Sequence, residues 1–216
     1  MDPVICMITG HAYSPSSPQE TLDRIGVAAG AGVDLVQIRA RHLDAAPLLA
    51  LVAQSMRAVQ GTRTRILVNE RLDVALGAGA HGVHLRGDSL PATRARAISP
   101  RGFLVGRSVH DVVGATSAAA AGGLDYLVFG TVFHTASKAG REPAGADALA
   151  GVVSATRLPV LAVGGVGLDR LRAVADAGAA GFAAIALFAD APIEQLPEIV
   201  RLARAAFPAG ASGGEA

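Results

Sequence analysis

A weak internal repeat constrains the fold of this 216-residue chain more than any other feature. Four times an Ala-Gly segment leads into a short apolar run, and these runs begin near residues 35, 83, 126 and 182. Half the spacing between them is about 24 residues, which is the length of one strand with its helix in a compact barrel. Eight such units fit the chain, and the repeat therefore predicts a (β/α)8 barrel.

Eight apolar runs are the predicted strands of this α/β fold. They are rich in Val, Ile and Leu and mostly lack apolar–polar alternation, which is typical of parallel strands buried on both faces. They lie at 4–9, 35–39, 65–69, 82–85, 103–106, 126–129, 160–163 and 181–186. A doubly wound open sheet is the alternative, but it seldom needs eight regular units. We therefore predict a single (β/α)8 TIM barrel domain over 1–207, followed by a flexible, small and polar tail over 208–216.

Composition excludes several classes of protein. The chain has 19 basic and 18 acidic residues, whereas nucleic-acid-binding proteins usually have a strong basic excess. Apolar residues make up 51% of the chain, which is too many for a disordered protein, and no apolar run approaches the length of a membrane span. The single cysteine, Cys6, fits a reducing compartment. We expect a cytoplasmic protein with no nucleic-acid or membrane partner.

The carboxyl ends of the strands are where a barrel of this kind has its active site. After the second predicted strand, alternation directs Gln37, Arg39 and Arg41 to one side. Two guanidinium groups on one side match the oxygens of a phosphate or a diphosphate. The alternative is an ordinary solvated pair of arginines held by Asp34 or Asp44.

Other strand ends carry residues with more than one interpretation. Glu70 is a candidate metal ligand or acid–base group, or a residue that favours the start of the next helix. His84 is expected to be a hydrogen-bonded histidine inside the barrel rather than a metal ligand. Asp88 can cap the following helix. His110 could transfer protons near neutral pH.

The longest predicted loop follows the sixth strand and covers 129–141. Thr131 and His134 lie close to the strand end, and Lys138 and Arg141 suit an anion. A polar, basic loop above a barrel end is typical of a lid or a substrate clamp.

Glycines after the seventh strand give the strongest functional signal in the sequence. Gly164 and Gly165 would let backbone N–H groups approach a phosphate, and Ile185 and Ala186 at the end of the eighth strand would complete the site. The alternative is that the two glycines only make a tight turn. Their position in the barrel favours a small phosphorylated ligand.

Several motifs resemble those of the thiamine phosphate synthase / thiazole tautomerase superfamily, whose fold is a (β/α)8 barrel. The resemblance covers roughly residues 3–205 and rests on the residues at 36–39, 68–76, 82–85, 105–110, 125–133 and 163–166. It implies a role in thiamine biosynthesis and a phosphorylated thiazole as substrate. Family habit and exposed apolar helix faces suggest a homo-oligomer.

The synthase branch joins a pyrimidine diphosphate to a thiazole phosphate in a reaction assisted by Mg²⁺. The resemblance implies that the pyrimidine diphosphate would be bound by Gln37, Arg39, Arg41, Asn69 and Lys138. The synthase's usual metal-binding aspartates are replaced by Glu70 and Ser89, and its Gly-Gln-Glu-Asp run is replaced by Arg-Gly-Asp-Ser at 86–89. In a synthase, Glu70 and Asp88 would therefore be the ligands of Mg²⁺.

The tautomerase branch aromatises thiazole carboxylate phosphate by moving a proton and needs no metal or other cofactor. Gly-Arg-Ser-Val-His at 106–110 and Asp-Tyr-Leu-Val-Phe-Gly at 125–130 are more similar to this branch. Thr131 stands where the tautomerase has its histidine, so His134 or His110 would move the proton. We expect an isomerase of this kind, with a synthase as the alternative and a thiazole-phosphate-binding protein without turnover as a third reading.

Overall fold

The computed structural model describes residues 2–10, 18–135, 140 and 142–207. Within them, eight parallel strands close into one barrel in the order in which they occur along the chain. The strands are Val4–Ile8 (β1), Leu35–Ile38 (β2), Arg65–Asn69 (β3), Gly82–Leu85 (β4), Leu104–Val109 (β5), Tyr126–Phe129 (β6), Val160–Val163 (β7) and Gly181–Ala184 (β8). The prediction of a single (β/α)8 TIM barrel is therefore confirmed.

Helices connect the strands and surround the barrel. They are Pro18–Gly30 (α1), Ala45–Ala58 (α2), Leu72–Gly77 (α3), Ala92–Ile98 (α4), Val112–Ala121 (α5), Gly145–Ser154 (α6), Leu171–Asp176 (α7), Ala186–Ala189 (α8) and Leu196–Ala205 (α9). Single 3-10 turns at Leu168–Arg170 and Ile193–Gln195 precede α7 and α9.

Two strands end more than one residue away from the predicted position. Strand β5 continues to Val109 instead of ending at Gly106, because Arg107, Ser108 and Val109 pair with β6. Strand β8 ends at Ala184 instead of residue 186, since the backbone of Ile185 has already left the extended region and begins helix α8. The corrected ends lie at the edge of the barrel where the site was predicted.

Alternation along the strands divides the core into two layers. In β6, Tyr126 and Val128 belong to the cluster that fills the barrel, whereas Leu127 and Phe129 pack against the helices outside it. Fully burying an aliphatic or aromatic side chain of this size contributes about 1.5–3 kcal/mol. The strands are apolar on both sides because both layers exclude water.

Carboxylates hold the opposite, amino-terminal end of the barrel. Asp34 accepts a hydrogen bond from the backbone N–H of Ile5 at 2.8 Å and forms a salt bridge with Arg204 of α9 at 2.9 Å. Asp125 accepts a hydrogen bond from the backbone N–H of Val105 at 2.7 Å. These contacts stabilise the start of the strands, away from their carboxyl ends.

The segment 208–216, which was predicted to be a flexible tail, lies outside the described residues. Across the ranges that the structure describes, each helix is too short or too polar to cross a lipid bilayer.

Candidate active site

An amide pair lies at the carboxyl ends of β2 and β3. Nε2 of Gln37 donates a hydrogen bond to Oδ1 of Asn69 at 3.0 Å, and Gln37 is buried. Strand β4 runs beside β3 with His84 next to Asn69, so the pair faces the same edge as the residues that follow β4. Both side chains were predicted to bind substrate, and the structure brings them into contact.

Arg39 and Arg41 follow β2 on the same edge. Within the described part of the chain, neither side chain has a carboxylate at salt-bridge distance. Burial lowers the pKa of the Arg39 guanidinium, and the positive charge of Arg41 lowers it further. Asp34 pairs with Arg63 and Arg204 instead, so it does not hold this pair. A half-buried guanidinium beside a second, exposed one, with no carboxylate at salt-bridge distance among the described residues, forms a site that an anion would stabilise.

Glu70 and Asp88, the two candidate metal ligands, are both engaged by one arginine. Nε and Nη2 of Arg86 donate to the two oxygens of Asp88 at 3.0 and 2.8 Å. Glu70 accepts a hydrogen bond from the backbone N–H of Arg86. The distance between Oε2 of Glu70 and Nε of the Arg86 side chain is 3.7 Å. Glu70 is also a non-glycine residue with a positive φ of 65°, a conformation that directs its side chain across to the end of β4.

This arrangement does not fit a magnesium site. Mg²⁺ needs carboxylate oxygens that point at the ion in near-octahedral geometry, whereas here both oxygens of Asp88 accept hydrogen bonds from the Arg86 guanidinium and Glu70 accepts one from the Arg86 backbone N–H. Within 2–10, 18–135, 140 and 142–207, no three His, Cys, Asp or Glu residues come together in a way that could hold a metal ion. The assignment of Glu70 and Asp88 as metal ligands stays a prediction.

A buried hydrogen-bonded group lies beneath the rim. His84 contacts Tyr126 through Nδ1 at 3.2 Å and Ser108 through Nε2 at 2.8 Å. Burial lowers the pKa of His84 to about 4, and the charge of Arg107 adds to the shift. The imidazole is therefore neutral at pH 7, as expected for a histidine that is hydrogen-bonded inside the barrel. It holds the Ser108 hydroxyl at the end of β5.

The two histidines predicted to transfer protons and the third candidate catalytic residue, Thr131, do not form one acid–base group. His110 is exposed and its Nδ1 lies 2.6 Å from the carbonyl oxygen of Gly130. The His134 side chain is exposed, while its backbone carbonyl packs over Gly165. Thr131 is buried, and its Oγ1 has no hydrogen-bond partner in the described part of the chain. Lys138 and Arg141, predicted to bind an anion, lie outside the described residues.

The ends of β7 and β8 present free backbone donors. Val163 pairs with Ala183, so Gly164–Gly165 and Ile185–Ala186 follow at the same edge. Among the described residues, none of the four backbone N–H groups has an acceptor. Gly164 and Gly165 have φ values of 96° and 64°, which favour glycine, and Arg170 anchors the turn by donating to the Gly165 carbonyl at 2.8 Å. Unpartnered N–H groups at a strand end form an anion-binding cradle.

Sequence reasoning did not assign four residues of this region to a site. They are Arg86, Arg107, Ser108 and Tyr126. Alternation contained part of the signal, since Arg86 follows His84 by two positions and Ser108 follows Gly106 by two. The position of Tyr126 required the structure, because its ring fills the space left by Gly106 on the neighbouring strand.

The sequence of the chain is similar to a known protein family and to characterised-by-name relatives within it. The family model described as thiamine monophosphate synthase matches residues 5–188. A putative thiamine-phosphate synthase from Geobacter sulfurreducens is 42% identical over 173 residues, covering 78% of this chain and 81% of the relative. The thiamine-phosphate synthase of Methanoculleus marisnigri is 40% identical over 76% of this chain and 77% of its own length.

A solved structure agrees with these relatives. The thiamine phosphate pyrophosphorylase from Pyrococcus furiosus superposes with a TM-score of 0.80 and 26% identity, covering 94% of each chain. The similarity in sequence and the similarity in fold therefore indicate the same family.

These relatives correct the prediction of the activity. We expected closer similarity to the tautomerase branch and an isomerase that aromatises thiazole carboxylate phosphate. This expectation is wrong, because the relatives at 33–42% identity are named thiamine-phosphate synthases, which are transferases. The synthase that the sequence left as the alternative is the reading they support. The proton transfer predicted for His110 or His134, with Thr131 at the position of the tautomerase histidine, belonged to the isomerase.

Proposed function

Since the chain belongs to the thiamine monophosphate synthase family, we propose that it joins a pyrimidine diphosphate to a thiazole phosphate and releases pyrophosphate. Both substrates carry phosphate, so the reaction needs two anion subsites at one end of the barrel. One observation carries the proposal. Only β1 separates the backbone N–H groups after β7 and β8 from the guanidinium groups after β2, and neither set has an acceptor or a counter-charge among the described residues.

The thiazole phosphate would lie on the β7–β8 side. Backbone N–H groups of Gly164, Gly165, Ile185 and Ala186 would donate to the phosphate oxygens. Any side chain at position 164 would meet Thr131, because a Cβ atom there would lie 2.5 Å from the Thr131 methyl carbon. Glycine therefore leaves the space that a phosphate needs to approach the backbone.

The pyrimidine diphosphate would lie on the β2–β4 side. Arg39 and Arg41 would neutralise its charge, together with Lys138 from the loop after β6. The amide pair of Gln37 and Asn69 lies at the base of this side and can offer both donors and acceptors to the pyrimidine ring.

The expectation that copies of the chain form a homo-oligomer stays a prediction.

Electrostatic stabilisation is the main contribution of these residues to the reaction. As the bond between the pyrimidine and its diphosphate breaks, negative charge accumulates on the departing pyrophosphate while a bond to the thiazole forms. Fixed guanidinium groups oriented toward that charge lower the barrier without reorganisation. The partial burial of Arg39 strengthens its effect, since less water screens it.

A coupling assay tests the proposal. Purified protein receives thiazole phosphate and pyrimidine diphosphate, and the release of pyrophosphate and the formation of thiamine phosphate are measured together. We expect both products in equal amounts, and Arg39→Gln should lower kcat/KM by about 10-fold or more. Arg101→Gln, at the opposite end of the barrel before β5, is the matched control. Binding of thiazole phosphate without any coupling would instead indicate a protein that keeps the site and lacks turnover.

A further inference from the structure

The guanidinium of Arg86 lies between the two carboxylates that a metal ion would need. Glu70 reaches it from the end of β3 and Asp88 from the loop after β4. A positive group between two carboxylates at this position offsets part of their negative charge, as a metal cation would. The chain therefore already contains a cation at the place where its carboxylates meet.

We propose that Arg86 provides the positive charge that binds the diphosphate at this position, so that diphosphate binding does not require a divalent cation. The inference rests on the proposed function, because it assigns a residue within the same site. Glu70 and Asp88 then act as positioning residues for Arg86 rather than as metal ligands.

The contacts of Arg86 leave it available to a ligand. The side chain is 48% exposed and that of Asp88 is 73% exposed, so their salt bridge is of the exposed kind that contributes little to stability. The other terminal nitrogen, Nη1, has no hydrogen-bond partner among the described residues. Diphosphate oxygens can replace the Asp88 carboxylate with the same two-pronged geometry.

The backbone around Arg86 is held in place. Its N–H group donates to Glu70, and Arg107 of β5 donates to the carbonyl oxygens of Gly87 and Leu90. The loop after β4 is therefore tied to both neighbouring strands. Because the backbone of this loop is already ordered, little backbone conformational entropy is lost when Arg86 binds an anion.

The charges on this side of the rim favour the same conclusion. Arg39, Arg41 and Arg86 follow β2 and β4, against the carboxylates Glu70 and Asp88 after β3 and β4. The balance is positive without a metal, as a diphosphate requires. In the alternative, an incoming magnesium ion displaces Arg86 and takes both carboxylates, which makes diphosphate binding metal-dependent.

Calorimetric titration with inorganic pyrophosphate distinguishes diphosphate binding by Arg86 from diphosphate binding that depends on magnesium. The wild-type protein, Arg86→Gln and the control Arg101→Gln are titrated in EDTA and again in MgCl2. We expect the wild type and the control to bind pyrophosphate in EDTA, and Arg86→Gln to bind about 10- to 100-fold more weakly. Wild-type binding that requires Mg²⁺, or equal binding by wild type and Arg86→Gln in EDTA, would overturn the proposal.

Two further variants distinguish a loss of charge at position 86 from a loss of structure. Arg86→Lys keeps the charge without the planar fork, so its affinity should lie between those of the wild type and Arg86→Gln. The double variant Arg86→Gly with Ser89→Asp restores the residues that the synthase pattern has at these positions, and its pyrophosphate binding should become dependent on Mg²⁺. Thermal unfolding of each variant verifies that the barrel is intact. A double variant that binds equally well in EDTA would contradict the proposal.

The coupling assay on the same proteins separates this inference from the proposed function. If no protein couples the substrates but the wild type binds pyrophosphate in EDTA through Arg86, only the proposed function fails. If coupling occurs and Arg86→Gln binds and couples like the wild type, only the inference about Arg86 fails.

Discussion

Replacing His84 should make the free energy of unfolding less dependent on pH between pH 7 and pH 5. Burial lowers the pKa of His84 in the folded chain to about 4, against 6.5 for an ordinary histidine. Between pH 7 and pH 5 the unfolded chain takes up about 0.7 of a proton at this residue, and the folded chain takes up about a tenth of one. Since the unfolded state binds more protons, stability falls as the pH falls. The difference amounts to about 2 kcal/mol of unfolding free energy.

Urea unfolding at pH 7 and pH 5 measures this loss. Wild type should lose about 2 kcal/mol from His84, with a further contribution from His81, whose pKa burial also lowers. His84→Gln should be less stable at both pH values, because two hydrogen bonds change, but its loss between them should be smaller by about 2 kcal/mol. His134→Gln, which alters an exposed side chain, should behave as wild type. An unchanged pH dependence in His84→Gln would refute the reasoning.

Three further substitutions test the two ends of the barrel. Gly164→Ala should raise the KM for thiazole phosphate about 10-fold in steady-state assays, since the methyl group meets Thr131 where the phosphate approaches. Thr131→Val should raise the unfolding free energy by about 1 kcal/mol in urea, because it removes a buried hydroxyl without a described partner; a loss of stability would show that the hydroxyl is satisfied. Asp34→Asn should cost about 1–3 kcal/mol by weakening the contact with Arg204 while kcat stays within about twofold of wild type; a large fall in kcat would contradict its structural role.

The barrel could be predicted from sequence because its determinants are local and repeated. Continuous apolar runs and Ala-Gly junctions recur in every part of the chain and each indicates a strand or the end of a helix. The ends of β5 and β8 were missed because they depend on a neighbour. Residues 107–109 extend β5 only where β6 lies beside them, and the chain turns at Ile185 only because helix α8 begins there.

Site residues were predictable where one strand end was enough to indicate them. Gln37 and Arg39 alternate along a single strand, and Gly164–Gly165 form one turn. Arg86 could not be found in this way, since its surroundings come from three strands: Glu70 after β3, its own loop after β4 and Arg107 from β5. The sequence at 86–89 shows only a departure from the run of the resembled synthases. The contacts of Arg86 with Glu70 and Asp88 become visible only in the structure.

The choice of branch shows why short motifs misled the prediction of activity. The residues at 106–110 and 125–130, which resembled the tautomerase, are largely explained by packing. Gly106 is needed because a Cβ atom there would collide with the ring of Tyr126. Asp125 binds the N–H group of Val105 and the side chain of Arg96 at the start of the strands. Such residues determine how β5 and β6 pack together in this chain, so they do not distinguish one activity from the other. The chemistry must instead be sought in the groups that packing leaves without partners, and in the described part of the chain these include the backbone N–H groups after β7 and β8 and the guanidinium groups after β2.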